Sequence, residues 1–431
     1  MISILDAFVL RLEKEEELFL QMNDVLHQKL KDIKSKYQIG LSIETFLKEI
    51  SKFEERTERE NAIKEFRERP IFNKTKKMGD FFNVDLDSSD ENKIAYEIKI
   101  SKNLEYMLPD NAVSALYQAT DAVNSLGEKA IVSAIQYFEE FFTCILRKLI
   151  VEKPNLYFGK KTIEYQELMK YDNIETIKQK FIDTEVNSLM HGVRETINLI
   201  NDRHNLNLSK YSELWDMYNR IDCHRNIIIH NRGRVNTEYN KGVCKSDKKD
   251  AGTYINCDND LVHESINALI KFAYLLYYIT GTKESELEVL DKVAFDLLCK
   301  EKWELAEFAY SLLKIHKPIS HENKMNYEIN YLNSLKHIKG LDSVKEQIDQ
   351  LDVSGMSEQF EVAKNLLLEN HQYVLDNLCK VYPDHFNMYA ILNWPIFIEF
   401  RKSKEYKQFI AQHSNAYEIY QIDVEENSEE Q

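Results

Sequence analysis

Apolar residues recur at intervals of three, four or seven between residues 4 and 68. This spacing predicts amphipathic helices, because one apolar position per helical turn builds a stripe that faces a core. Gly40 and Ser42 interrupt the pattern, and Pro70 ends it, since the residue before a proline is disfavoured in a helix. The pattern predicts two long helices, followed by a polar connector without a clear period up to about Pro109.

The helical pattern returns at about Asn111 and is strongest over residues 128–150. Seven apolar side chains there share one face and predict a core helix: Ile131, Ala134, Ile135, Phe138, Phe142, Ile145 and Leu149. Further helices are predicted over residues 161–182, 184–203, 210–231 and 260–280. A hydrophilic stretch from Arg232 to Thr253 separates the last two, and Gly281 closes the block.

The last third of the chain resembles a tetratricopeptide-type array of helical hairpins. The spacing that carries this resemblance is that of Leu297, Trp303, Ala306, Ala309, Tyr310, Leu313 and Pro318. Two weaker helical pairs are predicted over residues 330–352 and 358–383, and one capping helix over residues 394–410. The acidic tail is predicted to be disordered.

These patterns predict an all-α protein with long N-terminal helices, a central multi-helix bundle and a C-terminal helical-repeat module. The predicted boundaries are 1–110, 111–282, 283–420 and 421–431. The composition agrees, because only 11 Gly and 6 Pro among 431 residues leave few turn-forming residues for a sheet-rich fold. The formal charge of -16 argues against a protein that coats nucleic acid, so any such contact must come from a local basic site.

The six cysteines are far apart and form no CxxC pair, which favours reduced thiols over a disulfide framework. The first residues contain no basic stretch, and Asp6 lies within their first apolar run. The longest apolar stretch, Phe272 to Ile279, is too short to span a bilayer. We therefore expect a cytoplasmic protein without a membrane segment.

One segment, residues 212–236, carries candidate chemistry. Arg225 lies within the apolar stripe that its helix forms from Leu214, Met217, Tyr218, Ile221 and Ile228. Burying an unpaired guanidinium is costly. Arg225 must therefore either bind an internal carboxylate or lie at the edge of a cleft that receives an anion.

His230 lies in the last turn of the same predicted helix, and Asn226 lies one turn before it. Cys223 and Ile227 give this helix a second apolar side, which predicts two packing partners: its own domain and a second subunit. Such a seam would place Arg225 and His230 of both copies in one cleft.

The surrounding residues are basic, although the chain as a whole is acidic. Between Ile221 and Asp250 the sequence contains seven Lys or Arg and four acidic residues. An anion would find its best reception here. Arg232 and Arg234 are candidate contacts for an RNA backbone, and the alternative is that this charged run is only a solvated loop.

The residues from Arg225 to His230 form an R-N-x-x-x-H pattern. This pattern resembles the HEPN superfamily (higher eukaryotes and prokaryotes nucleotide-binding), whose ribonuclease members carry R-x4-6-H. The sequences FEEFF, HNRGRVN and GTYINCDNDLVHESINALIKF around it also resemble that family's surroundings. The resemblance covers about residues 125–282 and leaves the N-terminal helices outside.

The resemblance implies a HEPN-like domain over residues 111–282 and a metal-independent endoribonuclease without a cofactor. His230 would be the general acid/base toward the ribose 2′-OH or the leaving oxygen, and Arg225 would stabilise the charged phosphorane. Asn226 would orient the histidine or the phosphate. Family members generally work as homodimers, often as toxins or abortive-infection effectors, and the C-terminal repeats would bind a protein partner or trigger.

Two alternatives stay open. Arg225 could be a structural residue paired with Glu139 or Glu140, with His230 a cation at the helix C-terminus, in a catalytically silent HEPN dimer that acts as a scaffold. A metal site is disfavoured, because no two of its candidates have the short spacing of a zinc site; these are Cys223, His224, His230, Cys244, Cys257 and His263. The sequence contains no Walker, Rossmann, GxSxG or HExxH motif.

Overall fold

A computed structural model describes residues 3–36, 61, 65, 82–86, 96–100, 109–159, 162–171, 173–281, 283–317, 320–414 and 417. The chain begins with helix α1 (Ile4–Lys36). The second predicted N-terminal helix lies outside the described residues except for Asn61 and Glu65, which are helical, and the tail 421–431 lies outside them entirely. The predicted connector contains strands β1 (Phe82–Leu86) and β2 (Tyr96–Ile100), paired antiparallel.

The central region is a bundle of helices with short connections. Its helices are α2 (Pro109–Glu152), α3 (Asn155–Phe158), α4 (Tyr165–Leu168), α5 (Ile174–Leu189), α6 (Val193–His204), α7 (Ser212–Asn231), α8 (Thr237–Gly242) and α9 (Asn259–Thr280). Two 3₁₀ turns, Leu208–Tyr211 and Lys245–Asp247, lie between them. All seven apolar residues predicted to face the core from α2 are buried. This part of the prediction is confirmed.

Two predicted helix boundaries in this region are wrong. The expected break near residue 183 does not occur, because α5 runs through it from Ile174 to Leu189. Asn173 starts α5 instead, since its side chain accepts a hydrogen bond from the N–H of Thr176 (2.9 Å). The true break is the turn at residues 190–192, which precedes α6. This turn lines the candidate site.

The C-terminal region consists of paired helices. They are α10 (Glu284–Cys299), α11 (Trp303–Leu313), α12 (His321–Lys339), α13 (Leu341–Asp349), α14 (Glu358–Leu367), α15 (His371–Val381), α16 (Met388–Asn393), α17 (Ile398–Arg401) and α18 (Lys404–Gln412). The predicted pairs are present as helices. The single capping helix predicted over residues 394–410 is wrong, because a 3₁₀ turn precedes α17 and Ser403 caps a new helix by accepting from the N–H of Tyr406 (3.1 Å).

Two hydrophobic cores hold these helices together. The first contains buried residues of α1, α2, α5–α7 and α9–α11, and the second contains those of α12–α18. Helix α12 joins them, because its Tyr327 lies in the first core and its Ile329 in the second. The cores do not follow the predicted boundaries at 110 and 282, since α1 packs on α2 and α10–α11 complete the same core.

The body of the protein is therefore helical, and the all-α prediction is confirmed at the level of fold class, with one short strand pair added in the connector. Within the described ranges no helix combines the length and the apolar character that crossing a bilayer requires.

Candidate functional site

Helix α7 carries the predicted site residues and is covered on two sides. One side packs on α2 and α9, where the ring of Tyr218 lies 5.0 Å from that of Phe138 and 5.1 Å from that of Phe272. The other side buries Cys223 and Ile227 in a small cluster with residues that follow α7, namely Val235, Tyr239, Val243 and Ile255. The second apolar side of α7 is thus covered by the same chain, and the prediction that a second subunit covers it is wrong.

The end of α7 is set by a left-handed turn. Arg232 (φ 51°) and Gly233 (φ 70°) both donate their backbone N–H to the carbonyl of Ile227. A Cβ at Gly233 would lie 2.8 Å from the ring of Tyr254 and 2.9 Å from the carboxylate of Glu128, so only glycine permits this close return of the chain.

Arg232 and Arg234 lie in this return segment, outside the cleft described next. Arg232 is exposed and occupies the helix cap. The guanidinium of Arg234 donates to the carbonyl of Gly252 (3.0 Å). Both side chains are therefore at the surface beyond the C-terminus of α7. Neither lies beside Arg225.

A cleft of about 690 Å³ brings Arg225, Asn226 and His230 together. Its walls are α7, the turn at residues 190–192 with the first turn of α6, the start of α8 and one side of α2. His230 is exposed and lies at the open end of α7, whereas Arg225 is only 24% exposed. The volume is within the range of small-molecule sites, so the cleft can hold more than a single phosphate.

Arg225 is held by two carboxylates. Its Nη2 donates to Oε1 of Glu139 (2.7 Å) and to Oδ1 of Asp222 (3.0 Å). Of the two glutamates considered from the sequence, Glu139 is the partner, while Glu140 accepts from Arg11 (2.6 Å). Arg225 is therefore an internally paired arginine at the edge of an open cleft.

Asp222 connects the polar groups of the cleft. Its Oδ2 accepts from Nη2 of Arg194 (2.8 Å) and from Nδ2 of Asn226 (3.4 Å). Arg194 lies in the first turn of α6, and its Nη2 also contacts the sulfur of Cys223 (3.3 Å). Gly242 leaves room for this packing, because a Cβ there would lie 2.4 Å from that sulfur and 3.2 Å from Nη1 of Arg194.

Carboxylates outnumber arginines in the lining of the cleft. Burial raises the pKa of Glu139, although Arg225 opposes the shift, and the charge of Asp222 adds to it. Burial likewise raises the pKa of the Cys223 thiol against the effect of Arg194. The thiol is therefore kept protonated. Four carboxylates line the cleft, those of Glu139, Glu195, Asp222 and Glu238, against the two arginines, so the cleft is not cationic.

Some residues of the cleft were missed from the sequence. The sequence pattern singles out neither Arg194, Asp222 nor His191, yet all three line the cleft. The turn at residues 190–192 could have indicated them, but the sequence pattern placed this turn inside a helix.

The remaining candidates lie elsewhere. His224, one of the metal-ligand candidates, is buried outside the cleft, and its Nε2 lies 3.1 Å from the hydroxyl of Tyr239. In the basic run, Lys241 pairs with Glu238 (2.7 Å). Among the described residues no three His, Cys, Asp or Glu side chains are grouped to hold a metal ion, and all six cysteines are free.

Comparison of the chain with protein-family models, with curated proteins and with solved structures finds no match. The residues of α7 and their geometry must therefore carry any functional argument.

Proposed function

We propose that the protein is a HEPN-type endoribonuclease that cleaves RNA without a metal ion. The observation that carries the proposal is the convergence of Arg225, Asn226 and His230 in one open cleft. A guanidinium, an amide and an imidazole are the groups that phosphodiester cleavage by an internal nucleophile requires. RNA would contact the chain only at this site, because the chain as a whole is acidic.

In the proposed reaction the ribose 2′-oxygen attacks the adjacent phosphorus. The proton of the 2′-OH passes to a general base, the bond from phosphorus to the 5′-oxygen breaks, and that oxygen takes up a proton. His230 is exposed at the cleft mouth and serves in this proton transfer. Arg225 stabilises the charge on the phosphorane. Asn226, whose amide donates to Asp222, orients His230 or the phosphate. The products are a 2′,3′-cyclic phosphate and a 5′-hydroxyl end.

The proposal includes a homodimer and a cytoplasmic role as a toxin or antiviral effector. The apolar side of α7 that first suggested a dimer is covered within the chain. The dimer therefore rests on the resemblance to HEPN proteins. A partner or trigger would bind the C-terminal helices, where a groove of about 500 Å³ exposes Tyr389 and Trp394. A strictly monomeric mass in solution would remove the dimer from the proposal.

The test is cleavage of a structured RNA by the purified full chain in the presence of EDTA. We expect Arg225→Ala and His230→Ala each to lower the rate by at least about 100-fold, in the range observed for acid–base and electrostatic groups. Arg220→Ala and His385→Ala are matched controls, because Arg220 binds Glu264 outside the cleft and His385 is exposed in the C-terminal region. Both controls should cleave like the wild type.

Equal cleavage by the wild type, Arg225→Ala and His230→Ala would sink the ribonuclease assignment. Activity that EDTA abolishes would do the same. A substrate with a 2′-deoxyribose at the cleaved position must resist cleavage, since the nucleophile is then absent. Toxicity on expression that persists in His230→Ala would also count against the catalytic role.

A catalytically silent HEPN scaffold is the second candidate, and one observation favours it. Arg225 already binds both Glu139 and Asp222, which is the arrangement expected of a structural arginine. Under this function Arg225→Ala would lower the free energy of unfolding and leave RNA uncut in every variant. Under the ribonuclease function the cleavage rate falls far more than the stability.

A further inference from the structure

Two arginines from different helices meet in the cleft on one carboxylate. Nη2 of Arg194, from α6, donates to Oδ2 of Asp222 (2.8 Å), and Nη2 of Arg225, from α7, donates to Oδ1 (3.0 Å). The two guanidinium groups are thus separated by little more than the width of a carboxylate. The carboxylate of Asp222 lies between the two positive charges and offsets their repulsion.

Both arginines keep donors that their present bonds do not use. The bonds to Asp222 and Glu139 engage Nη2 of each side chain. A guanidinium has five N–H donors in a fixed fork. The Nε of each arginine is buried, so a ligand in the cleft would meet the terminal nitrogens.

A phosphate group fits this pair of donors. Its non-bridging oxygens are spaced much like the oxygens of a carboxylate, and arginine forks bind both kinds of anion in the same bidentate way. The cleft volume of about 690 Å³ leaves space for the sugar and base attached to such a phosphate. Asp222 therefore marks where two arginine donors converge on one anionic group.

We propose that Arg194 is a second phosphate-binding residue, which contacts the same phosphate group as Arg225. Given the proposed function, on which this assignment of the ligand rests, that group is the phosphodiester of RNA at the cleavage point. Asp222 and Glu139 hold the two guanidinium groups in place before the ligand arrives. Because four carboxylates line the same cleft, both guanidinium groups are needed to hold a phosphate there tightly.

The experiment is calorimetric titration of the full chain with inorganic phosphate at low salt. We expect Arg194→Ala and Arg225→Ala each to weaken phosphate binding roughly ten-fold or more, as for loss of a charge-assisted hydrogen bond. Arg220→Ala, on α7 but outside the cleft, should bind like the wild type. Thermal melting of each variant reports whether it is folded.

Arg194→Lys keeps the inference testable if Arg194→Ala does not fold. It retains the charge beside Asp222 but lacks the fork, so phosphate binding should fall to a value between those of the wild type and Arg225→Ala. A second readout uses a short single-stranded oligonucleotide with 2′-deoxyribose at every position, which lacks the nucleophile of the proposed reaction and cannot be cleaved by it. Because the two arginines contact one phosphate, the double variant Arg194→Ala/Arg225→Ala should lower the slope of log affinity against log salt by about 0.7, the value for a single phosphate contact.

Wild-type affinity for phosphate in both Arg194 variants would overturn the inference, and so would a wild type that binds no phosphate. The proposed function fails independently. If binding needs both arginines but His230→Ala cleaves RNA like the wild type, the two-arginine site stands and the ribonuclease assignment falls. If His230→Ala is inactive while Arg194→Ala binds phosphate normally, the reverse holds.

Discussion

Single side chains decide how closely the central helices approach. Gly127 lies within α2, where the carbonyl oxygen of Cys257 comes so close that an added Cβ would be 1.9 Å away. That carbonyl belongs to the segment that leads into α9, so this contact fixes the entry of α9 onto the core. A glycine within a helix is otherwise unfavourable. Here the absence of a side chain is what the packing requires.

Gly127→Ala should lower the free energy of unfolding by about 1–3 kcal/mol, as overpacking does. In an unconstrained helix the same change raises it by about 1 kcal/mol. Urea denaturation distinguishes the two signs. Ser125→Ala, two residues away and partly exposed, is the control and should change little. A Gly127→Ala protein as stable as the wild type would show that α2 and the segment before α9 are not in this contact.

At the scale of elements, α7 is held between two different environments. One side faces the aromatic core, and the other faces the segment from residue 232 to 258. There His224 of α7 packs on Tyr239 of this segment. These two rings are stacked with an interplanar angle of 11° and centroids 5.7 Å apart. Burial lowers the pKa of His224 to about 4, and the positive charges of Arg220 and Lys249 contribute.

This shift predicts a loss of stability in mild acid. The unfolded chain takes up a proton at His224 below about pH 6.5, while the folded chain resists it until about pH 4, so stability is complete above 6.5 and falls as the pH drops through this window. Between pH 7 and pH 5 the wild type should lose about 2 kcal/mol more than His224→Phe, which keeps a stacked ring but cannot be protonated.

The measurement is urea denaturation of both proteins at the two pH values. The exposed His385→Phe is the control and should keep the pH dependence of the wild type. An identical pH dependence in wild type and His224→Phe would mean that the buried imidazole is not held neutral by the fold. It would also mean that the segment from residue 232 to 258 does not pack firmly on α7.

At the scale of the whole molecule, the first core extends across the predicted domain boundaries. Leu5 and Leu12 of α1 are fully buried, and the ring of Phe8 lies 5.0 Å from that of Phe141. At the other end, Leu298 and Leu313 close the core from α10 and α11. The central bundle thus has an N-terminal and a C-terminal cover, both supplied by regions that the sequence assigned to other domains.

A fragment of residues 111–282 should therefore not fold as a stable unit. Removal of α1, α10 and α11 exposes the apolar surface that these helices cover, and each Å² of it costs about 25 cal/mol. We expect the total cost to exceed the small free energy of unfolding of a domain. A fragment of residues 1–317 keeps every helix of the first core except α12, which contributes only Tyr327 to it, and should unfold cooperatively. Urea unfolding and binding of a hydrophobic dye compare the two fragments. Cooperative unfolding of 111–282 without dye binding would contradict this account.

Local periodicity determined the helical class, the buried stripe of α2 and the placement of Arg225, Asn226 and His230 on one helix, because these depend on residues a few positions apart. The prediction of two packing partners for α7 was half correct. The helix has two buried sides, but the partner of the second is the same chain. Apolarity along a helix reports that a side is covered and says nothing of what covers it.

The tertiary structure alone decided which charges meet. Arg194, Asp222 and Glu139 come from three helices, and no spacing along the chain relates the first and last of them to Arg225. The break before α6 was hidden as well, since residues 184–203 continue a helical pattern that only packing interrupts. Ion pairing depends on distances between elements, which the chain sets through its cores rather than through local sequence.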